Sequence, residues 1–227
     1  MSAVAAGTPQ LIALVGNPNC GKTALFNLLT GGRQKVANYA GVTVERKEGV
    51  AITPSGKRVR ILDLPGLYSL EPATPDEQVT TDVLLGRRDG EAKPDAIVCV
   101  TDATNLRQNL RLVLALKRLG MPLLLALNMS DLARKRGIVV DKDALARELG
   151  IPVVETVGVR TSGVTELMSR LDAHWSDAVE HLAAPAGNAD VVRDHAEVRR
   201  ILAAAGGEAR AGETMSDRVD SIVQIGR

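Results

Sequence analysis

The sequence predicts an α/β protein with a mostly parallel six-stranded sheet covered by helices on both faces. One strand of that sheet is expected to be antiparallel, from a hairpin, and a small all-helical region is expected to follow. Three observations lead there. Apolar runs of strand length alternate with helix-length amphipathic stretches. Gly or Pro marks most of the changeovers. Beyond Gly163 the strand-length runs give way to helical spacing alone.

Residues 10–15 (QLIALV) are a short apolar run closed by Gly16, the pattern of a buried strand. Residues 22–30 (KTALFNLLT) read as a helix stopped by Gly31-Gly32. Residues 49–53 and 58–62 flank Pro54-Ser55-Gly56-Lys57 and read as the hairpin. Residues 96–101, 122–127 and 151–155 are three more apolar runs, with helices expected over 75–85, 105–119 and 142–149. Val164, Leu167, Met168, Leu171, Trp175, Val179 and Leu182 recur at helical spacing, a long amphipathic helix broken at Pro185-Ala186-Gly187-Asn188. Residues 191–205 and 216–225 read as two further helices, and the Ala/Gly-rich stretch 203–212 as a flexible connection. A boundary near residue 170 divides the chain into 1–172 and 173–227.

With 227 residues, 45% hydrophobic and 24% charged, the chain can build a large core and is not a disordered segment. Its 28 basic and 27 acidic residues leave a formal charge of +1, which argues against a general nucleic-acid binder. One Phe, two Tyr and one Trp are too few for a platform that stacks single strands. Cys20 and Cys99 make no disulfide framework, so a reducing compartment is the simple reading. Residues 1–10 lack the pattern of a signal peptide, and no apolar run approaches the roughly 20 residues of a membrane span. The chain is expected to be soluble as it stands, and a longer membrane protein that contains it stays open.

Gly16, Asn17, Pro18, Asn19, Cys20, Gly21, Lys22 and Thr23 fit the phosphate-loop pattern G-x-x-x-x-G-K-[ST], between an expected strand and an expected helix. Glycines let backbone N–H groups close around phosphates, and the helix N-terminus adds partial positive charge. Lys22 would neutralise β and γ phosphates, and the Thr23 hydroxyl would ligate Mg²⁺. Asp63, Leu64, Pro65 and Gly66 follow a strand; the carboxylate can hold Mg²⁺ and Gly66 can offer its N–H to a γ-phosphate. Asn128, Met129, Ser130 and Asp131 follow another strand. A carboxylate there accepts from guanine N1–H and the 2-amino group, a donor pair that adenine lacks, so Asp131 selects guanine. Taken singly, the second and third segments also read as a turn and a helix cap. Their order after a phosphate loop favours the nucleotide reading.

This ordered set resembles the translation-factor-related P-loop GTPases and, more narrowly, the cytosolic N-terminal G domain of FeoB ferrous iron transporters. The narrower resemblance rests on residues 16–31 (GNPNCGKTALFNLLTG), 38–49 (NYAGVTVERKEG), 63–70 (DLPGLYSL) and 127–131 (LNMSD). It covers about residues 10–172 and, more loosely, the rest of the chain. It implies the P-loop GTPase fold. It makes Thr43 the switch I threonine, closing on Mg²⁺ and the γ-phosphate, with Gly41, Val42, Val44 and Glu45 beside it. Asp63–Gly66 then opens switch II. The resemblance also implies a K⁺ ion held by Asn19 and by switch I carbonyls around residues 38–41. K⁺ supplies charge where an arginine finger sits elsewhere, a device worth about 10³–10⁵ in rate, and a weakly held cation gives less, so slow hydrolysis is expected. Asn19, Lys22, Thr43 and Gly66 are the expected catalytic residues.

Several positions depart from the family pattern. Leu67, within the matching segment 63–70, stands where many relatives of the wider superfamily carry a water-orienting Gln. Met129 replaces a Lys whose stem packs over the purine, which a thioether can also do. The last base-contacting loop reads Thr156-Val157-Gly158-Val159-Arg160 instead of Ser-Ala or Ser-Thr, so a backbone N–H to guanine O6 survives without the serine hydroxyl. Cys20 is either a thiolate favoured by the helix N-terminus or a small filler residue. For Asn17, ligand and turn roles both stay open. Asp76 and Glu77 read as acidic residues of a helix's first turn, with an approach to the attacking water as the alternative. His174, His181 and His195 have no ligand company, so no Fe²⁺ site is expected here.

The resemblance implies that residues 173–227 link the G domain to a membrane-embedded iron-permeation region, at the cytoplasmic face of a bacterial inner membrane. On that reading the chain is a fragment of a membrane protein. GTP and GDP are the expected ligands and nucleic acid is not a partner; homo-oligomerisation stays open. Two rival readings remain. One is a nucleotide-sensing switch with negligible hydrolysis. The other is a soluble ribosome- or tRNA-related GTPase, against which the near-zero charge counts.

Overall fold

The computed structural model describes residues 10–157, 161–177 and 191–209. Strands β1 (Gln10–Gly16), β4 (Arg58–Asp63), β5 (Ala96–Asp102), β6 (Leu123–Asn128) and β8 (Val153–Glu155) run parallel. β3 (Glu45–Ile52) pairs antiparallel with β4, and β2 (Gln34–Asn38) pairs antiparallel with β3. The order across the sheet is β2-β3-β4-β1-β5-β6-β8. The sheet therefore has seven strands instead of the expected six; β3 alone runs against the others, the one antiparallel strand expected, and β2 beyond it returns to the common direction. The extra strand is β2. All five of its residues (QKVAN) are exposed, so nothing in it alternates or runs apolar.

Both faces of the sheet are covered, which explains the unbroken apolar character of β1. Leu11, Ala13 and Val15 enter one apolar cluster, and Ile12 and Leu14 enter the other. The second cluster is closed by Leu25, Phe26 and Leu29 of α1 (Lys22–Thr30) and by Leu167, Met168 and Leu171 of α6 (Thr161–Asp177). The first takes α2 (Pro75–Leu85), α3 (Leu106–Lys117) and α5 (Lys142–Leu149).

α7 (Val191–Ala205) joins the same side, with Val198, Ile201, Leu202 and Ala205 buried in the first cluster. Arg118 at the end of α3 forks onto Asp194 with bonds of 2.7 and 2.9 Å. The boundary expected near residue 170 falls within α6. The tail is not all helical. Residues 206–209, expected as part of a flexible connection, form β9 (Gly206–Ala209), which pairs antiparallel with β7 (Ile138–Val140). The Asp141 N–H adds a 2.8 Å bond to the Ala205 carbonyl. A Gly-Gly start and so short a strand hide β9 from sequence reading; it exists because β7 offers it an edge. The expected break at 185–188 and helix at 216–225 lie outside the described residues. Among the described residues no helix is long and apolar enough to cross a membrane.

Candidate functional site

Parallel pairing gathers the motif residues at one end of the sheet. Register sets Leu14 of β1 beside Asp63 of β4, Gly16 beside Val100 of β5, and Asp102 of β5 beside Asn128 of β6. Ligands of open α/β sheets bind at this carboxyl end of the strands.

The loop from Gly16 to Gly21 turns through two left-handed residues, Asn19 (φ 65°) and Gly21 (φ 85°). Gly21 caps α1 and, having no side chain, makes no cap bond to the first-turn N–H groups. Beside them lies a cavity of about 430 Å³, lined by Asn17, Pro18, Asn19, Gly21, Lys22, Thr23, Ala24 and Gly66. The Lys22 ammonium is ion-paired with the Asp63 carboxylate, and both side chains are nearly buried. One cation with its paired carboxylate, a helix N-terminus and a hydroxyl thus meet at one hollow, a donor set for an anion with a hard divalent cation. Asn17 is buried, and neither its amide nitrogen nor its amide oxygen has a partner within the protein.

Residues 64–67 are stitched to the phosphate loop. The Leu64 N–H bonds the Leu14 carbonyl, and the Leu67 N–H bonds the Gly16 carbonyl, both at 3.2 Å. Gly66 lies so close that a Cβ there would sit 3.1 Å from Pro18. Leu67 is fully buried, so its side chain serves the core. Glu77 is also buried, and its carboxylate accepts from the N–H groups of Tyr68 (3.2 Å) and Ala73 (2.8 Å). It holds the loop ahead of α2 and is not among the cavity-lining residues.

The expected base loop is tied directly to the phosphate loop. Asn128 is buried and donates from Nδ2 to the Cys20 carbonyl at 2.9 Å. Its Oδ1 accepts from the Thr156 hydroxyl at 3.2 Å. Thr156 has a role the sequence did not reveal; the available signal was a lone hydroxyl at the end of an apolar strand. Met129 adopts φ 58° and opens α4 (Ser130–Lys135), whose first turn holds Asp131. Gly158, Val159 and Arg160 lie outside the described residues. Burial pushes the Cys20 thiol up to about 11, which fits the small filler and not the thiolate.

Gly41, Val42 and Thr43 lie in the loop that joins β2 to β3, and Glu45 starts β3. Tyr39 and Val44 are buried in the core beneath this loop, closed by a 3.0 Å bond from the Tyr39 N–H to the Val44 carbonyl. Thr43 is exposed and is not among the cavity-lining residues. The structure therefore brings together residues 17–24, Asp63, Gly66 and Asn128, while residues 41–45 lie apart from the cavity.

A phosphate loop bonded to an Asn-x-x-Asp segment, on this strand order, defines the class: a P-loop GTPase domain. Comparison with known proteins narrows it. Residues 10–171 match FeoB_N, Ferrous iron transport protein B, and the chain belongs to this family. It is 48% identical over 181 residues to the Fe(2+) transporter FeoB of Salmonella typhimurium, which covers 77% of this chain and 23% of that protein. It is similar to a GDP-bound mutant of the S. thermophilus FeoB G-domain, with 36% identity and a TM-score of 0.69 over 95% of this chain and 88% of that one. The cytosolic domain of T. maritima FeoB in apo form gives 29% identity and a TM-score of 0.72 over 86% of this chain and 98% of that one. The chain corresponds to the N-terminal G domain and spans less than a quarter of the length of this transporter relative.

Proposed function

We propose that this domain binds GTP, hydrolyses it slowly to GDP and phosphate, and reports its nucleotide state to the iron-permeation region of a longer membrane protein. The observation that carries the reading is the cavity lined by Lys22, Thr23 and Gly66, with Asp63 paired to Lys22, and the loop around it bonded through Asn128 to the base loop. GDP-bound relatives support the ligand, and transporter relatives support the wider role at the cytoplasmic face of a membrane. Residues 1–172 carry the nucleotide chemistry in this reading, and 173–227 lead to the membrane region.

On nucleotide binding Lys22 exchanges Asp63 for the β and γ phosphates. Asp63 is then free, with the Thr23 hydroxyl and with Thr43 once switch I closes, to hold Mg²⁺. Asn19 stands in the cavity wall where a K⁺ beside the phosphates would take its amide oxygen. The two cations, when bound, neutralise charge that develops on the phosphate oxygens. The Gly66 N–H holds the γ-phosphate. Asp131 reads the base, with Met129 against the purine.

The test is steady-state GTP hydrolysis with Mg²⁺ in KCl against NaCl at equal ionic strength, with ATP as control. Faster, GTP-selective hydrolysis in K⁺, lost in Asn19→Ala while GDP binding stays, is the expected result. A K⁺ response retained in Asn19→Ala places the cation elsewhere. Tight GTP binding without hydrolysis makes the domain a nucleotide-sensing switch, a reading that buried Leu67 favours because it cannot orient water. Asp131→Ala is expected to weaken GDP more than about tenfold, from the loss of charge-assisted bonds to the base. Unchanged affinity in a titration with a fluorescent GDP overturns the base assignment.

A further inference from the structure

The turn that follows α2 reaches back to the switch I loop at Ala40 and to the start of β3, directly behind that loop, at Arg46. Arg88 donates from Nη2 to the carbonyl oxygen of Ala40. Glu91 accepts from Arg46 Nε at 2.8 Å. Arg46 also donates to Glu48 at 2.7 Å, and Glu48 takes the Arg60 fork at 2.6 and 3.0 Å. A chain of charge-assisted bonds thus runs from the turn at 88–91 through β3 into β4. It is substantially shielded from water, with the Arg46, Glu48 and Glu91 side chains 18%, 15% and 13% exposed. Screening is weaker there than for surface pairs. The Arg60 fork holds the Glu48 carboxyl down to about 2 against its burial, with Arg46 adding to the effect, so Glu48 stays charged and orients Arg46 toward Glu91.

The two anchored positions bracket Gly41, Val42 and Thr43. The turn itself is fixed to α2. Gly86 closes the helix through its N–H, the Arg87 N–H bonds the Asp82 carbonyl at 2.8 Å, and the Glu91 N–H bonds the Arg88 carbonyl at 3.2 Å. At its other end α2 grips the switch II loop through Glu77 and, by a 2.9 Å bond from the Thr80 hydroxyl, the Pro65 carbonyl. One rigid helix therefore touches switch II with its first half and switch I with the turn behind it.

We propose that Arg88 and Glu91 form a latch that holds switch I open, so that closure of Thr43 on a γ-phosphate requires both contacts to break. The proposal rests on the reading of residues 38–45 as the segment that closes. It adds a competition: the Arg88 guanidinium occupies the Ala40 carbonyl, one of the oxygens assigned to the K⁺ shell. The latch raises the K⁺ and triphosphate concentrations needed for closure. GDP, which has no γ-phosphate to close on, is indifferent to it. Arg88 and Glu91 are positioning residues.

The test compares wild type, Arg88→Ala, Glu91→Gln and Arg88→Lys, with Asp89→Ala as a control in the same turn. Fluorescent GMPPNP and GDP are titrated with Mg²⁺, and the K⁺ concentration for half-maximal hydrolysis is measured. Arg88→Ala and Glu91→Gln are each expected to tighten GMPPNP about three- to tenfold, the range for one charge-assisted contact near a surface, and to leave GDP within about twofold. The half-maximal K⁺ concentration falls in parallel, and Arg88→Lys, which still donates to the carbonyl, behaves as wild type. An unchanged GMPPNP-to-GDP ratio, or weaker GMPPNP binding, overturns the latch. Absence of K⁺ stimulation in the wild type overturns the K⁺ reading instead, and the GMPPNP-to-GDP ratio still decides the latch.

Discussion

Replacing Lys22 with alanine is expected to lower GTP hydrolysis at least about a thousandfold, the scale set by removing a cation from the transferring phosphoryl group. Among the described residues that line the cavity, Lys22 alone carries positive charge, so no neighbour can take over. GTP should weaken more than GDP, because the ammonium serves the β and γ phosphates together. The substitution also strands Asp63. That carboxylate is nearly buried and pairs with Lys22, whose own side chain is 12% exposed. Leaving such a charge without its partner costs about 1–3 kcal/mol, below the figure for a fully buried pair because some water reaches it. A second change separates the two effects. Lys22→Ala with Asp63→Asn removes the stranded charge, so the urea midpoint recovers while hydrolysis stays lost. A double variant no more stable than Lys22→Ala alone means that Asp63 is not the strained group. Hydrolysis within tenfold of wild type in Lys22→Ala removes Lys22 from the mechanism.

Lys22 was legible because a phosphate loop is local. Its eight residues adjoin in sequence, and the strand before and the helix after are strongly patterned. The same holds for β1, β5 and β6, whose unbroken apolar runs reflect cover on both faces. What sequence could not supply were pairings that only the tertiary fold creates. β2 is polar and exposed, and it is a strand because β3 accepts it along the sheet edge. β9 begins with two glycines, which on their own read as a break, and it is held by β7. Thr156 sits 28 residues from Asn128 and matters only through that contact. The latch is the extreme case. Arg88 and Ala40 lie 48 residues apart, and a lone arginine in a turn carries no signal of the carbonyl it will meet. The position of Thr43 was hidden for a related reason. The motif states which phosphate it serves, whereas its place here follows from burial of Tyr39 and Val44 beside it.

Gly21→Ala is expected to abolish nucleotide binding and to destabilise the fold by about 3–5 kcal/mol, the combined cost of backbone strain and stranded buried polar groups. Gly21 has φ 85°, where an L-residue is strained by about 1–2 kcal/mol. The larger part comes from what a side chain would meet. A Cβ at Gly21 would lie 2.2 Å from Asn128 Nδ2, so that amide must move. Moving it breaks the 2.9 Å bond to the Cys20 carbonyl and the 3.2 Å bond from the Thr156 hydroxyl. Asn128 is 1% exposed, so water cannot replace either bond. Gly31→Ala isolates the backbone part. Gly31 also has a positive φ, 62°, but nothing lies within 4 Å of the added Cβ. It should cost only about 1–2 kcal/mol and leave GDP affinity unchanged. Urea unfolding of the two variants, with GDP titrations beside it, separates strain from contact. Equal losses in both mean that left-handed strain accounts for the whole effect and the bridge through Asn128 contributes nothing. A large excess in Gly21→Ala, with GDP affinity lost by more than about a hundredfold, the worth of two buried hydrogen bonds, means that phosphate loop and base loop bind nucleotide only as a bonded pair.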